Sequence, residues 1–202
     1  MSIVTYNNRS IANISAIPGA AKALTHIKTL TASSSSTLSF VDGSSDVVLD
    51  STYPIYVFKY INIHPSGNGH FTVNFRDGGS NYDATKTSTF FAARHSEDDS
   101  AAALAYNASN DLAQGTGDQY IDGFGINNDN DSSISGELFL FNPSSTTFVK
   151  HFIVNTSGHF PASHNFTAGY CNTTTAIDGV EFSFQSGDID AGTIKMYGLK
   201  DS

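Results

Sequence analysis

ISGELFLFNPSSTTFVKHFIV, residues Ile134 to Val154, holds two strand-like runs, ISGELFLF (Ile134 to Phe141) and TFVKHFIV (Thr147 to Val154). Between them stands Asn142-Pro143-Ser144-Ser145. Proline has no amide hydrogen to give to a ladder, so the chain turns there and the two runs form a hairpin. The same alternation is clearest in VEFSFQ, where Val180, Phe182 and Phe184 point one way and Glu181, Ser183 and Gln185 the other. One apolar and one polar set is the mark of a half-buried antiparallel strand.

Working outward, similar runs arrive at short intervals: Thr25 to Thr31, Thr37 to Val41, Ile55 to Ile63, Phe71 to Phe75, Ser88 to Ala93, Gln119 to Ile126, Asn165 to Cys171 and Thr193 to Leu199. Asp42-Gly43, Asp77-Gly78-Gly79, Asp178-Gly179 and Ser186-Gly187-Asp188 supply the positive-φ residues that tight connections need. About eight to eleven such strands in one domain predict an all-β fold, an antiparallel β-sandwich of jelly-roll type spanning residues 25–202. Val57, Ile61, Ile63, Phe139, Phe141, Phe152, Phe182 and Phe184 are its expected core. Ser96 to Ala113 breaks the pattern with three successive alanines, and reads either as one or two helical turns from Ser96 or as a surface strand and loop. Met1 to Leu24 follows neither period and reads as an extended N-terminal arm, with an edge strand at Ile11 to Ile17 as the alternative. Its irregular apolar residues cannot cover a domain face, so the arm is expected to order against a neighbouring subunit.

Composition narrows the function. Ten Lys and Arg against nineteen Asp and Glu give a net charge of −9, which repels phosphate backbones and argues against nucleic acid as a partner. Apolar runs of four or five residues, such as Phe90 to Ala93, are far short of the roughly 20 that span a bilayer, so no membrane partner is expected. The opening MSIVTYNNRSIANIS lacks the pattern of a secretory signal, which makes cytoplasmic synthesis the expectation. The single cysteine, Cys171, leaves the fold to packing alone.

Catalytic and metal motifs are sparse. No GxSxG, HExxH, Walker loop or paired CxxC occurs, and no cofactor is implied. Cys171 and His164 invite a nucleophile–base reading, yet a cysteine closing the apolar run after Phe166 and Tyr170 reads better as a small buried hydrophobe. Asp129, Asp131 and Ser133 at alternate positions, with Glu137 beyond, form a calcium candidate of hard oxygen ligands. It departs from the EF-hand pattern in lacking glycine at the sixth and glutamate at the twelfth position from Asp129, and a solvated Asx turn is the competing reading. His151, His159 and His164 match no zinc spacing. Fifteen Phe and nine Tyr without any Trp serve a core first, and a glycan platform second.

Longer strings carry more. YPIYVFKYINIHP (Tyr53 to Pro65), DGGSNYDATKTSTFFAARH (Asp77 to His95), GELFLFNPSSTTFVKHF (Gly136 to Phe152), AGYCNTTTAIDGVEFSF (Ala168 to Phe184) and SGDIDAGTIKMYGLK (Ser186 to Lys200) resemble, in order and spacing, a family of marine bacteriophage and viral-metagenome proteins described as virion structural proteins. The likeness covers roughly Ala23 to Lys200. It implies a non-enzymatic subunit on the exterior of a virion, in capsid decoration or in a tail or fibre, made in the cytoplasm of the infected host. Its implied partners are copies of itself, as a homotrimer, and other capsid or tail proteins, with a host-surface glycan as a further partner. The alternative is a carbohydrate-binding β-sandwich module used for receptor recognition.

Overall fold

A computed structural model describes residues 24–159 and 161–200. Among them no residue is helical, and twelve strands run in order: β1 (Thr25–Thr31), β2 (Thr37–Val41), β3 (Ile55–Pro65), β4 (Phe71–Arg76), β5 (Lys86–His95), β6 (Ala102–Tyr106), β7 (Gln119–Tyr120), β8 (Ile134–Phe141), β9 (Lys150–Gly158), β10 (Ala162–Cys171), β11 (Gly179–Phe184) and β12 (Ile189–Leu199). They build two antiparallel sheets, one of eight strands in the order β1-β12-β3-β8-β9-β10-β5-β6 and one of four in the order β2-β11-β4-β7. The expected arm, Met1 to Leu24, lies outside the described residues except for Leu24. Ser96 to Ala113 carries the short strand β6 between turns, not a helix.

The sheets meet across one core because each presents one apolar alternation set. From the four-stranded sheet come Leu38, Phe40, Phe71, Val73, Phe75, Val180, Phe182 and Phe184, and from the larger one Tyr56, Phe58, Tyr60, Leu138, Leu140, Phe152, Val154, Ile194 and Met196. Rings from the two sides interlock, with Phe40 edge-on to Phe58 at 5.2 Å, Tyr60 edge-on to Phe71 at 5.5 Å and Phe75 against Phe152 at 5.0 Å between centroids. Each such side chain, taken wholly out of water, contributes roughly 1.5–3 kcal/mol, which suffices to hold the sheets together without any disulfide.

Phe152, Phe182, Phe184, Val57 and Ile63 are buried as expected, but three other core expectations fail. In β8 the inward set is Ile134, Leu138 and Leu140, which leaves Phe139 and Phe141 half-buried on the opposite face. In β3 the inward set is Tyr56, Phe58 and Tyr60 until a bulge intervenes, after which Ile63 and Pro65 point inward and Ile61 is 42% exposed. The bulge sits where Asn62 has φ +50° and faces Gly192 of β12 at φ +110°. A Cβ on Gly192 would meet the Asn62 carbonyl oxygen at 2.5 Å, so the double irregularity requires glycine there.

Four strands cannot cover eight. At about 4.8 Å per strand the larger sheet is roughly 20 Å wider than the smaller one, and part of its inner face, toward β10 and β5, is left without a strand partner. The connection between β6 and β8 fills part of that area. Ile121 and Ile126 are buried, Thr156 donates its hydroxyl to the Ile121 carbonyl (2.8 Å), and Asn165 bonds Thr156 in turn (3.0 Å). Asp122, its side chain 2% exposed, is the knot of this segment. It accepts hydrogen bonds from the amides of Phe71 (2.5 Å), Gly125 (2.6 Å) and Phe124 (3.2 Å) and from Nδ1 of His70 (2.9 Å).

Candidate functional site

With the inner faces committed to packing, interaction chemistry falls to the outer ones, and these differ. On the four-stranded sheet the outward ladder is polar: Ser39 donates to Glu181 (2.8 Å), the hydroxyls of Thr72 and Ser183 share a bond (2.8 Å), and Asn74 donates to Asp118 (2.6 Å). Such a surface is already hydrogen-bonded to itself and to water.

On the eight-stranded sheet the outward positions of β9, β10, β5 and β6 carry no Asp, Glu, Lys or Arg. Tyr106, Phe91 and Phe166 lie side by side across β6, β5 and β10, and Phe91 stacks on Phe166 at 4.8 Å and 13°. His164 leans on Phe166 at 4.0 Å, His151 meets Tyr170 edge-on at 6.1 Å, and Ile153 of β9 is exposed beside them. Half-buried Phe139 and Phe141 continue the apolar strip on β8. Charge borders the face at both ends: near β6 the Tyr106 hydroxyl donates to Asp111 and His95 bonds Asp99 at 3.1 Å, and toward the far edge Lys59 of β3 pairs with Glu137 of β8 at 3.1 Å. A chain of net charge −9 thus keeps the outward positions of four neighbouring strands uncharged and rich in aromatic rings. Exposed apolar area of this kind is the usual sign of a contact surface.

The residues singled out for chemistry do not converge. Cys171 is fully buried, and burial pushes its thiol up to about 12, while His164 stands on the outer face of the same strand. Cys171 is flanked in register by Lys86 and Lys150, both buried. Their ammonium groups donate to the carbonyls of Ala84 and Thr173, each at 3.1 Å, and desolvation lowers both below the usual lysine range. Asp129 and Asp131 are exposed in the turn before β8, Ser133 lines a shallow hollow with Glu97, Ser135 and His159, and Glu137 faces Lys59. Among the described residues no three of His, Cys, Asp or Glu gather closely enough to hold a metal ion. Addition of calcium, followed by EGTA, is therefore expected to leave the melting temperature unchanged, because a ligand of the folded state would raise it. A reproducible rise with calcium would assign the turn a role this geometry does not.

Pairing brings together what sequence reasoning left apart. Phe91, Tyr106 and Phe166 lie on three strands, and His70 and Asp122 are 52 residues apart. Burial and its bond to Asp122 act in opposition on His70, and the bond wins, raising the imidazole above its ordinary value. The ring also stacks on Tyr120 at 4.5 Å and 6°. No protein-family model matches the chain, and no curated protein matches it.

Proposed function

We propose that this chain is a non-enzymatic structural subunit on the exterior of a marine bacteriophage particle, in capsid decoration or in a tail or fibre, working as a homotrimer. The observation that carries the reading is the neutral aromatic face of the eight-stranded sheet. Like-charged copies repel through most of their surface, and association is favoured where charge is absent and apolar area can be buried. The resemblance of Ala23 to Lys200 to phage structural proteins supplies the particle; the face supplies the contact. We read the two sheets as a jelly-roll sandwich. Its support is the nesting of β1 against β12 and β2 against β11, with β3 and β4 inside them, as a folded-over chain pairs its distant halves.

In this reading Met1 to Leu24 is an arm that docks on a neighbouring subunit. Deleting Met1 to Ala21 is expected to leave the β domain folded with a near-native melting temperature, and to abolish incorporation into the trimer and into particles. Unfolding of the truncated domain would make the segment an integral part of the fold. Mass spectrometry of purified particles tests the function itself. Hundreds of copies per particle mean decoration, six to eighteen mean tail or fibre, and absence from particles ends the virion reading.

Glycan recognition is the second reading, and one observation favours it. Phe91, exposed and stacked on Phe166, presents a ring on which a sugar can lie. Binding to a glycan array that is lost in Phe91→Ala, from a protein that sediments as a monomer, would select it.

A further inference from the structure

Strand β6 ends the eight-stranded sheet, and among the described residues no strand pairs with its outer edge. Its pairing with β5 is bracketed by two backbone bonds, the Ser96 amide to the Ala101 carbonyl (2.8 Å) and the Asn107 amide to the Phe90 carbonyl (3.0 Å). In an antiparallel ladder bonding residues alternate, so Ala101, Ala103, Ala105 and Asn107 turn toward β5. Ala102, Leu104 and Tyr106 then turn their amides and carbonyls away from the sheet, toward whatever lies beyond the edge.

Natural sheets guard such edges with lysine, proline, a bulge or covering chain. Here AALAY (Ala102 to Tyr106) holds neither charge nor proline, pairs with β5 without a register break, and is exposed at all five residues. The opposite edge of the same sheet, β1, carries His26 and Lys28 and a register shift between them. The side chains of β6 match its backbone. Leu104, 72% exposed, and Tyr106 stand on the aromatic face beside Phe91, while Ala103 and Ala105 line a shallow hollow with Arg94 and Phe124 on the other side.

We propose that β6 pairs with β6 of a second copy of this chain, antiparallel about a two-fold axis at Leu104, fusing the two eight-stranded sheets into one. The edge is self-complementary at that register. Leu104 faces its own counterpart as a bonded pair, and Ala102 faces the counterpart of Tyr106 on either side, so every outward amide meets a carbonyl. The axis runs through the sheet, so the two neutral faces emerge on the same side and Leu104, Tyr106 and Phe91 of both copies form one apolar strip. A copy of the chain fits this edge because at that register each outward donor meets its counterpart's acceptor, the strand itself is uncharged, and the flanking carboxylates Asp99 and Asp111 are each hydrogen-bonded within their own copy, to His95 and Tyr106. This contact does not depend on the particle reading, and it is distinct from a threefold contact through the sheet face or the arm.

Sedimentation of the full chain decides it. The native chain is expected at an even number of copies, and Leu104→Lys, which places a charge on the axis, is expected to halve that mass with an unchanged melting temperature. Leu104→Cys is expected to oxidise in air to a covalent dimer, and Phe148→Cys, equally exposed but off the edge, is not; Cys171 is buried and adds no crosslink. A native mass that Leu104→Lys leaves untouched, whether monomer or trimer, overturns the pairing. So does equal crosslinking of the two cysteine variants. A trimer that survives Leu104→Lys would retain the proposed oligomer and remove only this contact.

Discussion

Phe182→Ala is expected to lower the stability of the domain by about 3–5 kcal/mol in urea unfolding, with little change in the slope of the transition. Phe182 sits at the centre of β11, and its ring lies 5.8 to 6.4 Å from those of Phe58, Phe71, Tyr60 and Phe40. These rings come from strands of both sheets, so the cavity cannot close by moving one side. Truncation therefore forfeits both the transfer free energy of the ring and the contacts its neighbours lose. Phe148→Ala, at an exposed phenylalanine in the β8–β9 connection, is the matched control and is expected to fall within about 0.5 kcal/mol of the native chain. Equal effects at the two sites would mean that the sheets are not held by this aromatic cluster.

Asp122→Ala is expected to cost about 3–5 kcal/mol, although it removes no apolar packing. The carboxylate accepts three backbone amides and one imidazole in a place where water hardly reaches, and each buried donor left unpaired carries its own desolvation penalty. Asp122→Asn keeps one acceptor oxygen and is expected to lose less. The His70 bond adds a pH dependence whose sign is fixed by linkage. Because the folded value of His70 is raised, its contribution is fully present below the unfolded value near 6.5 and is lost as pH rises through the higher folded value. The stability gap between the native chain and His70→Gln is therefore expected to widen as thermal melts are taken from about pH 8 down to pH 6. A gap that narrows on acidification would show that the imidazole is not held as a cation by Asp122.

Much of this fold is legible in one sequence, and the places where it is not have physical causes. THIKTLT, TLSFV and ISGELFLF coincide with β1, β2 and β8 residue for residue; alternation marks the latter two, whereas β1 is delimited by the residues that bound it. On β8 the large rings of Phe139 and Phe141 draw the inward assignment to the wrong alternation set. Ser135 and Glu137 share their alternation set, so counting all eight residues favours Leu138 and Leu140. In β3 no count of alternation reveals the bulge at Asn62, since it depends on the glycine that faces it from β12. β6 escaped a firm reading because alanine has little preference for strands, and its place is set by β5 alone. The neutral face was hidden for a different reason. Each of its strands shows an unremarkable mixed set, and only the register between strands gathers the uncharged positions on one side. The knot at Asp122 joins residues whose separation along the chain leaves no local trace.

The pairing of Thr25 with Gly198 puts the two ends of the described domain at one corner of the larger sheet. Tension applied between those ends would part β1 from β12 one bond after another, as a zip opens, in place of loading the ladder all at once. A domain tethered by the residues before β1 therefore hangs from one corner, with β6 about 34 Å away across seven strand spacings. Cargo fused at either end emerges at the same spot. A permuted chain that links Leu199 to Thr25 through a short loop, and opens at the exposed Gly78-Gly79 turn, would keep every ladder while moving the tether to a new side of the molecule.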